Sequence, residues 1–186
     1  MALQVTETDL PGVMILEPSV FDDHRGFFFE SFNNREFQLA TGQFQPFVQD
    51  NHSKSVTGVL RGLHYQLKKP QGKLVRAIQG TIYDVAVDIR KGSPAFGEWV
   101  GCELSEENKR QLWVPPNFAH GFMVLSDSAQ VIYKVTEYYE SEDERSILWN
   151  DPEIGICWPN NVSPLVSVKD LNASLLSNAE LPQYLV

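Results

Sequence analysis

Gly80-Thr-Ile-Tyr-Asp-Val-Ala-Val-Asp-Ile-Arg-Lys-Gly92 is the stretch that decides the fold. Between its glycines, Tyr83, Val85, Val87 and Ile89 alternate with Asp84, Ala86 and Asp88, a period of two that belongs to a β-strand and not to a helix. One face is apolar and the other carries acids. Similar runs occur at 12–16, 26–32, 47–53, 59–67, 73–79, 98–104, 110–114, 121–125 and 129–136. The 12 glycines and 11 prolines are scattered among these runs and punctuate them. About ten short strands separated by turns predict an all-β sandwich or barrel. Helical signal is thin. Asn33 followed by Glu36 resembles a capping box for a short helix over 33–40, with Phe37 and Ala40 toward the core. Ser105-Glu-Glu-Asn108 suggests a second helix start. The run Phe27-Phe-Phe29 reads as core.

The chain has 186 residues and a net charge of -9, from 15 Lys plus Arg against 24 Asp plus Glu. That balance disfavours nucleic acid or an anionic membrane as a partner. A single domain over 1–186 is expected, with a C-terminal extension from about 150, where the strand pattern weakens. Cys102 and Cys157 form no C-x-x-C pair and read as reduced thiols. With no leader-like start and no apolar stretch of spanning length, a cytoplasmic protein is expected.

Imidazole is the side chain most easily poised for proton transfer near neutral pH, so all four histidines, His24, His52, His64 and His120, are candidates. A histidine taken singly is more often a hydrogen-bonded structural residue. His64 stands out because Leu60-Arg-Gly-Leu-His-Tyr-Gln66 sets a cation and an imidazole in an apolar strand. Strict alternation would separate Arg61 from His64, but Gly62 permits a bulge that brings both to one side. Pro115-Pro-Asn-Phe-Ala-His120 couples a proline corner to a strand beginning at His120. The two regions are similar to the paired motifs of cupins, whose metal sites need His-x-His. Here the first reads His64-Tyr65-Gln66, so no metal is expected. Arg25, Arg61, Lys73 and Arg76 are cations in apolar runs. Each is either half of a structural ion pair, the preferred reading for Arg76, or, for Arg25 and Arg61, a fork for a phosphorylated ligand. Tyr133-Lys-Val-Thr-Glu-Tyr-Tyr139 mixes phenols with charges, giving either sheet-edge tyrosines or a proton donor and a stacking ring.

Eight stretches carry a resemblance to a known family: Arg25-Gly-Phe-Phe-Phe-Glu-Ser-Phe32, Phe47-Val-Gln-Asp-Asn-His-Ser-Lys54, Val59-Leu-Arg-Gly-Leu-His-Tyr-Gln66, Gln71-Gly-Lys-Leu-Val-Arg76, Tyr83-Asp-Val-Ala-Val-Asp-Ile-Arg90, Arg110-Gln-Leu-Trp-Val-Pro115, Ala119-His-Gly-Phe122 and Trp149-Asn-Asp-Pro152. In this order and spacing they resemble the nucleotide-sugar 3,5-epimerases, departing at His24 and Asn117.

The resemblance implies a cupin-type jelly roll with one or two short helices, a homodimer, no cofactor and a dTDP-sugar substrate. It implies epimerisation at C3 and C5 of dTDP-4-dehydro-6-deoxy-D-glucose, giving dTDP-4-dehydro-L-rhamnose. His64 matches the general base, Asp170 its carboxylate partner, Lys73 the cation beside the C4 oxygen and Tyr133 the proton donor. Arg25, Gln49, Asn51, Arg61 and Lys169 match contacts to the diphosphate and nucleotide. Glu30, Tyr138 and Glu144 match positions near the nucleoside, and His120 a wall of the sugar site. Two alternatives stay open, an epimerase acting at C3 or C5 alone and a non-catalytic cupin that binds a nucleotide sugar.

Overall fold

In a computed structural model that describes residues 3–184, the chain runs through fourteen strands. They are β1 (Leu3–Glu7), β2 (Met14–Pro18), β3 (Val20–Asp23), β4 (Gly26–Phe29), β5 (Gln49–Val56), β6 (Val59–Gln66), β7 (Lys73–Gln79), β8 (Thr81–Asp88), β9 (Trp99–Ser105), β10 (Gln111–Val114), β11 (Phe118–Val124), β12 (Ser128–Val135), β13 (Glu144–Ser146) and β14 (Leu165–Val166). Helix α1 (Asn34–Thr41) follows β4, and α2 (Val168–Leu171) follows β14. One sheet has the order β1-β2-β10-β7-β12-β5, the other β13-β6-β11-β8-β9 with β14 parallel to β6. The two pack as the sandwich of a cupin-type jelly roll.

The β8 stretch that decided the fold uses its two faces in an informative way. Tyr83, Val85, Val87 and Ile89 pack outward, against Ile147, Ile154, Leu176 and Leu181 of the C-terminal segment. Ile82 and Ala86 turn inward, onto Val75, Leu112, Val114 and Val131 of the other sheet. Asp84 and Asp88, in step with them, are fully buried. The acids therefore lie on the interior face, where a carboxylate must find partners. Burying the apolar face depends on the C-terminal segment, which Asp151 fastens by accepting from the Leu176 backbone N–H at 2.6 Å.

Helix α1 starts as predicted, with Asn33 Oδ1 accepting from the Arg35 and Glu36 amides. Phe37 is buried in an aromatic cluster with Trp113 and Phe47. Ala40, expected toward the core, is exposed, and Thr41 takes the buried position with its hydroxyl donating to Phe37 O. At Ser105 no helix forms. The Ser105 and Asn108 side chains bond each other's backbone amides, and the left-handed Lys109 (φ 56°) stops the turn after one Lys109 N–H to Ser105 O bond. The Phe27-Phe-Phe29 run is not core either: it lies in a β3–β4 hairpin that joins neither sheet and leaves Phe27 and Phe28 more than half exposed. Among the described residues Arg76 has no ion pair, contrary to expectation, and lies over the Phe29 ring.

The bulge at Gly62 is present. Across β6 and β11 the register pairs His120 with His64 but Phe122 with Arg61, so one residue is absorbed between them. Gly62 sits at φ 133°, and a Cβ there would lie 2.6 Å from Gly121 Cα and 3.0 Å from His120 O. G62A is therefore expected to cost about 2–3 kcal/mol, roughly 5–10 °C in Tm for a chain of this size, because strain and overlap add. An unchanged melting temperature would contradict the packing described.

Candidate active site

At one end of the sandwich the sheets part around a cavity of about 370 Å³, a usual size for a small-molecule site. From β5, β7 and β12 come Gln49, Asn51, Lys73 and Tyr133; from β6, β11 and β13 come Arg61, His64, His120 and Glu144. Eight of the residues matched from sequence thus meet in one place, drawn from both sheets.

His64 Nε2 lies 2.7 Å from Asp170 Oδ1, although the two are 106 residues apart in the chain. The local fold explains the meeting. Parallel pairing of β14 with the start of β6 brings the chain alongside, and Ser167 caps the one-turn α2, accepting from the Asp170 amide at 3.1 Å. Burial pushes the Asp170 carboxyl up, but the His64 bond and charge, with hydrogen bonds from Ser167 and the Gly62 backbone, bring it below the usual range. An ionised carboxylate only accepts, so Nε2 carries the proton in this bond, and in the neutral ring Nδ1 keeps a lone pair. That is the tautomer a general base requires.

His120 stands beside His64 as its partner across the strands and has a second carboxylate, with Nε2 2.8 Å from Asp84 Oδ1. Lys73 reaches across from the opposite sheet, its ammonium donating to His64 O at 3.2 Å. Burial pushes its pKa down to about 8, against the opposing pull of Asp84 and Glu144. Burial raises the Tyr133 phenol, with Arg61 working the other way, so it remains a proton donor through the neutral range. Glu144 accepts from Lys169 Nζ and from Tyr139 OH, the latter at 3.0 Å. Burial alone would raise its carboxyl; those bonds and the His64 charge lower it. Gln49 donates to Asn51 Oδ1 at 2.9 Å, and Arg61 to Ser55 Oγ at 3.1 Å.

Three matched residues lie elsewhere in this chain. Arg25 is on the tip of the β3–β4 hairpin, paired with Asp23 and largely exposed. Glu30 lines a separate crevice beside α1, with Asn33, Glu36 and Phe37. Tyr138 is exposed and outside the cavity, whereas its neighbour Tyr139 lines it. Sequence reasoning missed Tyr139, which ended a run already singled out, and Asp84, whose signal was an acid in an otherwise apolar strand. It also missed Ser53, a buried hydroxyl on the cavity wall without a partner among the described residues.

The donors around His64 are poorly suited to a metal. Gln66, at the place of a second metal-binding imidazole, is spent on backbone groups of Lys69, Tyr138 and Glu140. Tyr65 donates to Glu180 O, and burial pushes its phenol up to about 12. Among the described residues no three His, Cys, Asp or Glu side chains form a group that could hold a metal ion.

A jelly-roll pocket with imidazole on one sheet and phenol and ammonium on the other defines a cupin fitted for proton transfer. Comparison with known proteins agrees and is more specific. The dTDP-4-dehydrorhamnose 3,5-epimerase family matches residues 7–178, and the chain belongs to it. The enzyme of that name from Shigella flexneri is 57% identical over 179 residues, covering 96% of this chain and 98% of the relative. The crystal structure of dTDP-6-deoxy-D-glucose-3,5-epimerase from Legionella pneumophila, in complex with dTDP-4-keto-L-rhamnose, is 49% identical. It covers 99% of this chain and 100% of its own, at a TM-score of 0.97. A 3'-monoepimerase from Streptomyces bikiniensis, in complex with dTDP-quinovose, is 35% identical, covers 95% of this chain and 92% of its own, and has a TM-score of 0.90.

Proposed function

We propose that the protein is an isomerase that inverts C3 and C5 of dTDP-4-dehydro-6-deoxy-D-glucose, giving dTDP-4-dehydro-L-rhamnose for dTDP-rhamnose synthesis. One observation carries this reading: the base His64 and the acid Tyr133 project into one cavity from facing sheets. C3 and C5 both flank the C4 ketone. His64 Nδ1 takes the proton from either carbon, held in the right tautomer by Asp170. The enolate charge collects on O4, where the buried Lys73 ammonium stabilises it. Tyr133 then returns a proton to the opposite face, and the centre is inverted. The chain's own side chains suffice for these steps.

Gln49, Asn51 and Arg61 supply the polar and cationic lining for a diphosphate and nucleotide, Lys169 adds a cation beside it through its bond to Glu144, and Tyr139, at the rim, offers a ring for the base. Glu144 orients Lys169 and Tyr139 together, and His120 walls the sugar end. Arg25, Glu30 and Tyr138, matched from sequence, are not in the cavity that one chain builds. The exposed Phe21, Phe27 and Phe28 of the β3–β4 hairpin support a homodimer, in which a hairpin carrying Arg25 could reach a neighbouring cavity. One jelly-roll domain, with an extension that provides Asp170, accounts for the whole chain. Among the described residues no helix is long and apolar enough to cross a membrane, and a cytoplasmic setting agrees with the two free thiols.

Product stereochemistry is the test. Proton couplings of the product should report the L-rhamno configuration at both C3 and C5. A product inverted at one carbon would favour the monoepimerase reading, which the Streptomyces bikiniensis relative keeps in view. Binding of the sugar nucleotide without turnover would favour a non-catalytic cupin. Prolonged EDTA treatment should leave the rate unchanged; loss on chelation, restored by one divalent metal, would contradict the donor chemistry above.

The pH profile gives a further expectation. Lys73 must be an ammonium, and burial pushes its pKa down to about 8, so the alkaline limb of the rate should begin there. The rate should fall as pH rises through 8, towards tenfold per unit, with the Tyr133 phenol still protonated there. A kcat that stays level to pH 9.5 would show that Lys73 does not serve as the cation.

A further inference from the structure

Asp84 is fully buried, on the interior face of β8. Its Oδ1 holds His120 Nε2 at 2.8 Å. Its Oδ2 is also buried and accepts no hydrogen bond among the described residues. A carboxylate in that position has lost its water and half its bonding capacity, which is costly unless nearby cations compensate. The structure offers one N–H donor, His120, and one cation, Lys73. His120 lies diagonally across β11, since Asp84 pairs with Phe122 and Ala86 with His120. Lys73 enters from the other sheet to the carbonyl of His64, the residue opposite His120.

We infer that Asp84 is a positioning residue of the site: it fixes the His120 ring and supplies the buried negative charge that keeps Lys73 an ammonium where the sugar oxygen will bear charge. This rests on the reading of Lys73 given above and deepens it. The charged and titratable groups that share the cavity with Lys73 are Arg61, His64 and Tyr65 from β6, His120 from β11, Tyr133 from β12, Tyr139 from the segment before β13 and Glu144 from β13, with Asp84 of β8 bonded behind His120; β5 contributes only neutral amides and Ser53. Of the two acids, Asp84 exerts the stronger pull on Lys73. Glu144 is committed to Lys169 and Tyr139. His120, for its part, is left by the Asp84 bond with Nε2 as donor and Nδ1 as acceptor, so its ring meets the sugar in one defined state.

The test reads Lys73 directly and without substrate. Protein carrying ¹³C-labelled lysine is titrated by NMR, the Lys73 signal being assigned by its loss in K73R. In D84N the Lys73 midpoint should fall by about one pH unit or more, the usual size of losing a close opposite charge. The alkaline limb of kcat should move down with it, while KM for the sugar nucleotide changes only a few-fold. A D84N protein that melts normally and keeps the wild-type Lys73 midpoint would overturn the inference, whatever its activity. If D84N does not fold, D84E decides: it keeps the charge while displacing the oxygen from His120, so the midpoint should stay near the wild-type value. A D84E midpoint lowered as far as burial alone would take it contradicts the charge role. Absence of epimerisation in the wild type would sink the proposed function but leave this titration readable.

Discussion

H64N is expected to reduce epimerisation by about 10³-fold or more and to stop deuterium exchange at C3 and C5 alike, because one imidazole serves both carbons. Asp170 keeps its hydrogen bonds from Ser167 and the Gly62 backbone, so its carboxylate is not left buried and unpaired, and the fold should hold. Gln49, Asn51, Arg61 and Lys169 are untouched, so nucleotide affinity should change only a few-fold. Affinity is measured by titration with dTDP and exchange by proton NMR in D₂O. Wild-type exchange at either carbon would mean that another base serves there.

Y133F should separate two events that the wild type couples. With His64 and Lys73 in place the enolate still forms, and deuterium can return from the face it left. Delivery from the opposite face is what the missing hydroxyl prevents. Epimerised product should therefore fall by about 10²–10⁴-fold, the range for a lost general acid, while wash-in of deuterium falls far less. The change removes one hydroxyl and little packing, so a collapsed fold would not explain the result. Inversion of both centres at the wild-type rate would transfer the donor role to another group.

These two variants test a site that was only partly legible in the sequence, and the reasons are physical. Alternation over 81–89 announced a strand, and ten such runs announced a sandwich, because a half-buried strand must write its two faces into the chain. β13 and β14, at three and two residues, are set by pairing with β6 and carry no period of their own. Phe27 and Phe28 read as core since apolarity does not say whether a hairpin will dock on its own sheet. Arg61 and His64 share a cavity through a bulge that Gly62 allowed but could not by itself require. The pairing of His64 with Asp170 spans 106 residues, and no local pattern encodes it; only the resemblance pointed there. Asp84 was visible as an acid in an apolar strand, yet whether it faced water or the cavity depended on the C-terminal segment that covers the other face of β8.

The central claim is that one cavity removes and returns protons at both carbons beside the C4 ketone, using a base and an acid on facing sheets. Incubating the protein in D₂O with dTDP-4-dehydro-6-deoxy-D-glucose and following the sugar protons measures this most directly. The account predicts deuterium at C3 and at C5, carried in product with both centres inverted and absent from the other ring carbons. Inverted product that retains its original hydrogens, or no deuterium at either carbon, would contradict it.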